Sequence, residues 1–172
     1  ASDVYKRQYL AYLNTKMIFL RKVILIVLIN FIDNIILEYT LKFFFVIPLT
    51  FLFFSLYVYK SKKTVGSLES FFTGLFIDII SESFLGLNAA LFCITTYLVN
   101  LNANLFKLFS YFQICLFFGI ISTAYVGFYQ LIVNLYNFSY LVLFVSLITN
   151  ILLCISLAFL RIYFPILFKN RV

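Results

Sequence analysis

Between Lys107 and Arg161 the chain carries no charged residue at all. Two apolar stretches, Phe109–Val133 and Tyr140–Phe164, account for nearly all of that run. A helix of roughly 20 apolar residues crosses about 30 Å of hydrocarbon, and both stretches exceed that length. The rest of the chain agrees: 65% of residues are hydrophobic and 11% charged, against about 45–50% and about 25% in soluble domains. A soluble globule of 172 residues must cover its surface with polar groups, and this chain lacks them. A soluble enzyme, a disordered tail and a disulfide-stapled secreted module are all excluded, leaving an integral membrane protein.

Four more apolar stretches precede these two: Ile18–Leu37, Phe43–Tyr59, a weaker one at Thr64–Ile80, and Phe84–Leu101. No backbone crosses lipid with unsatisfied N–H and C=O groups, so each span is expected to be a helix. The runs are continuously apolar rather than alternating, which argues against a barrel. The expected fold class is therefore all-α, a polytopic membrane protein built as a bundle of six transmembrane helices. Five of the stretches meet the spanning length. The third, with Glu69 and Asp78 inside it, is the weak one.

Charge placement tests that count. With a cytoplasmic N-terminus, six spans put Arg21, Lys22, Lys60, Lys62, Lys63, Lys107, Arg161, Lys169 and Arg171 inside and only Lys42 outside. This is the positive-inside asymmetry. Omitting the third span would move Lys107 and the C-terminal cluster outside, so both termini are expected to be cytoplasmic. Arg21-Lys22 before an apolar run resembles a signal peptide, but Asp33, Asn34 and Glu38 follow instead of a small-residue cleavage site. An uncleaved first helix is expected.

Residues 3–8, Asp-Val-Tyr-Lys-Arg-Gln, resemble an in-frame translation of a transposase adaptor. Met17, the single methionine, then opens Met-Ile-Phe-Leu-Arg-Lys. The expected division is a non-native extension over residues 1–16 and one six-helix transmembrane domain over 17–172. Without the extension the net charge of +7 falls by two, and what remains reads as topology rather than affinity for nucleic acid.

The chemistry of the chain is narrow. It has no histidine, which removes His-centred catalysis and His-ligated metal. Cys93, Cys115 and Cys154 are odd in number, far apart and set in apolar runs, so they read as small core hydrophobes. No Ser/His/Asp set, metal-spaced cluster or phosphate-cradling glycine loop is present, and neither an enzyme nor a cofactor is expected. The 22% aromatic content follows the AT-rich codon bias that also raises Ile, Asn and Lys, so it carries little functional weight.

The scarce polar residues carry more. Gly74, Asp78 and Glu82 recur every four residues on one helix face. An Asp inside a span costs about 2.5–3.5 kcal/mol on insertion scales and faces a partner, a cavity or the bundle interior. Two readings stand: a partner contact, or a carboxylate hydrogen-bonded to nearby backbone or hydroxyls. Asn30, Asp33 and Asn34 form a similar patch near the same membrane face. Gly119, Thr123 and Gly127, and again Ser146, Asn150, Cys154 and Ala158, are spaced as helix-packing seams.

Residues 71–80, Phe-Phe-Thr-Gly-Leu-Phe-Ile-Asp-Ile-Ile, are followed by Ser-Glu-Ser-Phe-Leu-Gly-Leu-Asn-Ala-Ala-Leu over 81–91. This stretch resembles the rod shape-determining protein MreD family, which shows a Phe, a spaced Gly, an Asp, a short polar turn, Leu-Gly and a small-residue helix start. Tyr97-Leu98-Val99 also fits, as do length from Met17 and span count. Where the family often has Arg/Lys-Pro-(Asp/Asn) before its second span, Leu41-Lys42-Phe43-Phe44 stands here. The matching motif positions are Phe72, Gly74, Asp78, Leu85, Gly86, Asn88 and Ala90. The resemblance implies a non-enzymatic scaffold subunit of the bacterial cell-elongation complex, in the inner membrane. It would dock MreC, and through it MreB filaments and the RodA/penicillin-binding protein pair. Gly74 and Gly86 would then provide close approach and a tight turn, and Asp78 would hold the turn between spans three and four. The alternative is a substrate-binding membrane component of an energy-coupling-factor type vitamin transporter, with Asp33, Asn34, Asp78 and Asn88 around an outward cavity.

Overall fold

A computed structural model of the protein describes Tyr5 and residues 24–61, 65–133 and 138–163. The expected extension over residues 1–16, Tyr5 apart, lies outside them, as do Arg21, Lys22, Lys62, Lys63, Lys169 and Arg171. Among the described residues there is no β-strand. From Ile24 on, the described residues form six helices: α1 (Ile24–Leu41), then α2 (Leu49–Lys60), α3 (Ser67–Ile80), α4 (Leu87–Leu101), α5 (Tyr111–Val133) and α6 (Tyr140–Tyr163). A 3-10 turn, Leu105–Lys107, joins α4 to α5.

Helix ends follow local chemistry. α5 opens on a capping box, in which the Ser110 backbone N–H donates to Gln113 Oε1 at 2.8 Å and the Gln113 N–H donates to Ser110 Oγ at 3.4 Å. Ser139 Oγ accepts the Val142 N–H at the start of α6. α2 begins directly after Pro48, whose missing N–H costs nothing at a helix start.

Among the described residues three helices are long and apolar enough to cross a membrane: α1, α5 and α6. The second and fourth apolar stretches fall short of the helical length expected of them. Phe44 has φ +59° and the chain stays non-helical to Pro48, so α2 keeps 12 residues, about 18 Å of helix. Glu82 at φ +49° and Gly86 at φ +94° break the chain before α4, which keeps 15 residues, about 22 Å. Apolar composition ran on through these two turns; backbone conformation did not.

Packing is pairwise with a shared centre. α3 lies along α4 and α5 lies along α6, while α2 touches both α4 and α5. The core gathers where α2 meets those two helices. Phe54 stacks on Phe92 with ring centroids 4.1 Å apart, and Phe51 stacks on Tyr125 at 4.4 Å. Phe51, Leu52, Phe54, Phe92 and Phe118 are all fully buried. Because α2 has neighbours on two sides, its apolar residues run all round, as a centrally placed helix requires.

Candidate functional site

The polar residues of the bundle converge on one end, where α1 turns into α2 and α3 turns into α4. A helix start leaves four backbone N–H groups without intrahelical partners. In water these bind solvent; in an apolar surround they need acceptors from the protein. Both turns solve this with a carboxylate from the preceding helix.

Asp78, fully buried on α3, reaches across the turn to the start of α4. Its Oδ1 accepts from Ser83 Oγ at 2.9 Å and from the Asn88 N–H at 3.1 Å. Its Oδ2 accepts from the Gly86 N–H at 2.9 Å and the Ala89 N–H at 3.4 Å. The negative charge also sits at the positive end of the α4 dipole. Asp33 does the same work for α2: Oδ1 accepts the Leu49 N–H at 3.1 Å and Oδ2 the Thr50 N–H at 2.9 Å. Of the two readings open for Asp78, the hydrogen-bonded carboxylate is the one the geometry displays.

Two glycines let the α3–α4 pair close this tightly. A Cβ at Gly74 would stand 2.5 Å from Ala89 Cα and 2.6 Å from its N, so the two backbones touch there. Gly86 holds a left-handed conformation that L side chains rarely adopt. Below them, Ser70 Oγ and Thr96 Oγ1 share a 2.7 Å hydrogen bond between the same helices.

The two caps are tied together from α5. Tyr125 donates its hydroxyl to Asn88 Oδ1, while its ring stacks on Phe51, one residue past the Thr50 held by Asp33. α6 joins through Ser146, whose Oγ accepts the Val46 N–H at 2.9 Å from the non-helical stretch before α2.

The other motif positions divide by face. Phe72 and Leu85 are exposed, at 61% and 74%. Ala90 is also exposed, and its neighbour Ala89 makes the close approach to Gly74. In the α5–α6 seam a Cβ at Gly119 would meet Ile151, including its Cα at 3.1 Å, so the backbones run close. Gly127 faces only the methyl groups of Leu143. Thr123 bonds within its own helix, to the Gly119 carbonyl. Cys154 is buried, and its carbonyl accepts the Cys115 thiol. Asn150 is fully buried, and neither side-chain atom has a partner among the described residues. All three cysteines are free.

Sequence reading missed Tyr125, Ser83 and Ala89. The only available signal for Tyr125 was its position four residues from Ile121 and Tyr129 on a helix already crowded with aromatics, which singles out nothing. Ala89 stood beside the residue chosen, one helical step of 100° away.

Chemically the arrangement is a clamp. Each carboxylate oxygen accepts at least one hydrogen bond from the start of the following helix or its turn, so each aspartate ties two helices together. Among the described residues no group of His, Cys, Asp or Glu side chains is placed to bind a metal. Compared with known proteins, the chain matches no family model, no curated sequence and no solved structure.

Proposed function

We propose that this protein is a non-enzymatic scaffold of a bacterial inner membrane, MreD-like, which docks an MreC-like partner and through it the cell-elongation machinery. The carrying observation is how the α3–α4 motif divides its side chains. Its polar groups (Asp78, Ser83, Asn88) are turned inward to fix the turn. Its large apolar groups (Leu68, Phe72, Phe76, Ile79) lie exposed on α3 at helical spacing. α3 is packed along α4 on one side, so this stripe is available to a single partner helix within the membrane. Lipid supplies no hydrophobic drive between helices, so a rigid, shaped face is what a partner helix can recognise.

On this reading the chain crosses the membrane six times with both termini inside. The short α2 is lengthened by its non-helical entry, residues 45–48, while residues 81–86 turn the chain from α3 into α4. Such backbone is tolerated at membrane depth only when its polar groups are met by protein. Ser146 accepts the Val46 N–H in the first segment and Asp78 the Gly86 N–H in the second, while Asp33 caps α2 itself. The transporter alternative needs polar groups converging on an open cavity. Asp33, Asp78 and Asn88 are engaged with backbone and with Tyr125, which favours the scaffold.

The test is co-purification with the MreC-like protein of the same cell. Replacing Leu68, Phe72 and Phe76 together by Ala keeps the helix apolar but removes its relief, and should abolish capture while the protein still inserts. Full retention of the partner by that variant refutes the docking face. A vitamin-dependent rise in thermal stability would instead support the transporter.

A further inference from the structure

At the opposite end of the bundle from the two aspartates, α2, α5 and α6 enclose a groove of about 210 Å³. Its floor is buried and apolar, made by Cys115, Phe118 and Cys154. Its rim is exposed, with Phe53 on α2 and Tyr111 on α5. Among the described residues, Lys60, the last residue of α2, is the single charged residue lining it, and no carboxylate does. The contact of the Tyr59 ring with Phe106, at 5.3 Å, brings the ends of α2 and the 3-10 turn together. Lys60, which follows Tyr59, stands at that end of the groove.

We infer that this groove seats one anionic phospholipid, with an acyl chain along the α5–α6 floor and its phosphate at Lys60. The chemistry of the walls selects the occupant. An apolar slot satisfies a hydrocarbon chain, and a basic side chain at its mouth, unneutralised by any lining acid, selects a negative headgroup. Each basic residue near an anionic lipid surface contributes enough to bias binding severalfold. A zwitterionic lipid would fill the slot equally but leave the cation without a net counter-charge. The inference rests on the membrane character of the chain and is independent of the scaffold reading.

The test uses the full chain in detergent, followed by thermal unfolding and by mass spectrometry of the intact protein–lipid complex. Phosphatidylglycerol should raise the unfolding midpoint by several degrees in a saturable way, with one lipid retained per protein. Phosphatidylcholine should shift it much less, and glycerol phosphate, the headgroup without chains, not at all. Lys60→Gln should weaken phosphatidylglycerol binding about fivefold, with the lipid-free midpoint unchanged, and Lys60→Arg should restore it. Ala158→Phe, which fills the slot, should abolish retention. Equal shifts by both lipids, a full shift by glycerol phosphate, or unchanged binding in Lys60→Gln would each overturn the assignment. So would protein–protein cross-links through a cysteine placed at Phe53 in place of retained lipid.

Discussion

Tyr125 donates its hydroxyl to Asn88 Oδ1, and the backbone N–H of the same Asn88 is held by Asp78. One residue of α4 is thus gripped from two helices, by its side chain from α5 and by its backbone from α3. Through the Tyr125 ring stacked on Phe51, the grip extends to α2 and so to the Asp33 cap. The two turns at this end of the protein act as one unit because a single aromatic side chain spans them.

Removing only the hydroxyl tests that unit. Tyr125→Phe keeps the stack on Phe51 but leaves Asn88 Oδ1 without its donor. The expected cost is about 1 kcal/mol, within the range for hydrogen bonds in membrane and soluble interiors. Tyr125→Ala should cost about 3 kcal/mol, because a cavity opens beside Phe51 as well. Reversible unfolding in mixed micelles measures both. Equal losses for the two variants would show that the ring contributes nothing beyond the hydroxyl, contrary to the bridging role.

The aspartate caps should differ in weight. Asp78 serves three backbone N–H groups and a serine hydroxyl, whereas Asp33 serves two N–H groups. Loss of an N-cap acceptor costs about 0.5–2 kcal/mol, and each buried donor left bare adds to that. Asp78→Ala is expected to destabilise by about 2–4 kcal/mol and Asp33→Ala by about 1–2 kcal/mol. Asp78→Asn should fall between wild type and alanine, since its amide keeps one acceptor. Hydrogen exchange at Asn88 and Ala89 should rise in the Asp78 variants and stay protected in Asp33→Ala.

Much of this end of the fold was legible in advance, and the reasons are specific. Asp78 stood out because a carboxylate in an apolar run is expensive and must be answered by something. Its glycine neighbours at 74 and 86 pointed to a close approach and a turn. Backbone or hydroxyl donors were one of the two readings, but which residues supply them was not legible, because every residue but proline offers the same backbone N–H. The length of α2 was hidden for a related reason: Phe43–Ile47 is as apolar as the helix that follows, and hydropathy reports no φ angle. Tyr125 disappeared into an aromatic-rich background in which no single ring is distinctive. The motif resemblance points to Ala90, whereas the packed structure sets its neighbour Ala89 against Gly74.

The glycines give a ranking rather than a single value. Gly74→Ala sets a methyl against the Ala89 backbone, which has no side chain to move aside, and should cost about 3 kcal/mol. Gly86→Ala meets open space but keeps an unfavourable left-handed φ, for about 1–2 kcal/mol. Gly127→Ala faces only the rotatable end of Leu143 and gains helix propensity, so its change should stay within about 0.5 kcal/mol. Thermal midpoints of the three variants, measured in one detergent, should fall in that order. A Gly127 effect equal to that of Gly74 would contradict the packing of α5 on α6.

Asn150 is the residue where substitution should help. Its side chain is fully buried on α6, one turn past Ser146, and neither its amide nitrogen nor its carbonyl oxygen has a partner among the described residues. Ser122 Oγ on α5 is buried and unpartnered in the same way. A buried polar group without a hydrogen bond costs about 1–3 kcal/mol, and an apolar replacement of similar shape removes that cost. Asn150→Val is therefore expected to raise stability by about 1 kcal/mol, whereas Asn150→Ala should gain less because it leaves a void. The comparison separates two roles. If Asn150 serves only packing, Asn150→Val will be the more stable protein. A fall in stability of 1 kcal/mol or more would mean that the amide is satisfied in the membrane by a group outside the described residues, and cross-linking from position 150 would then identify the group.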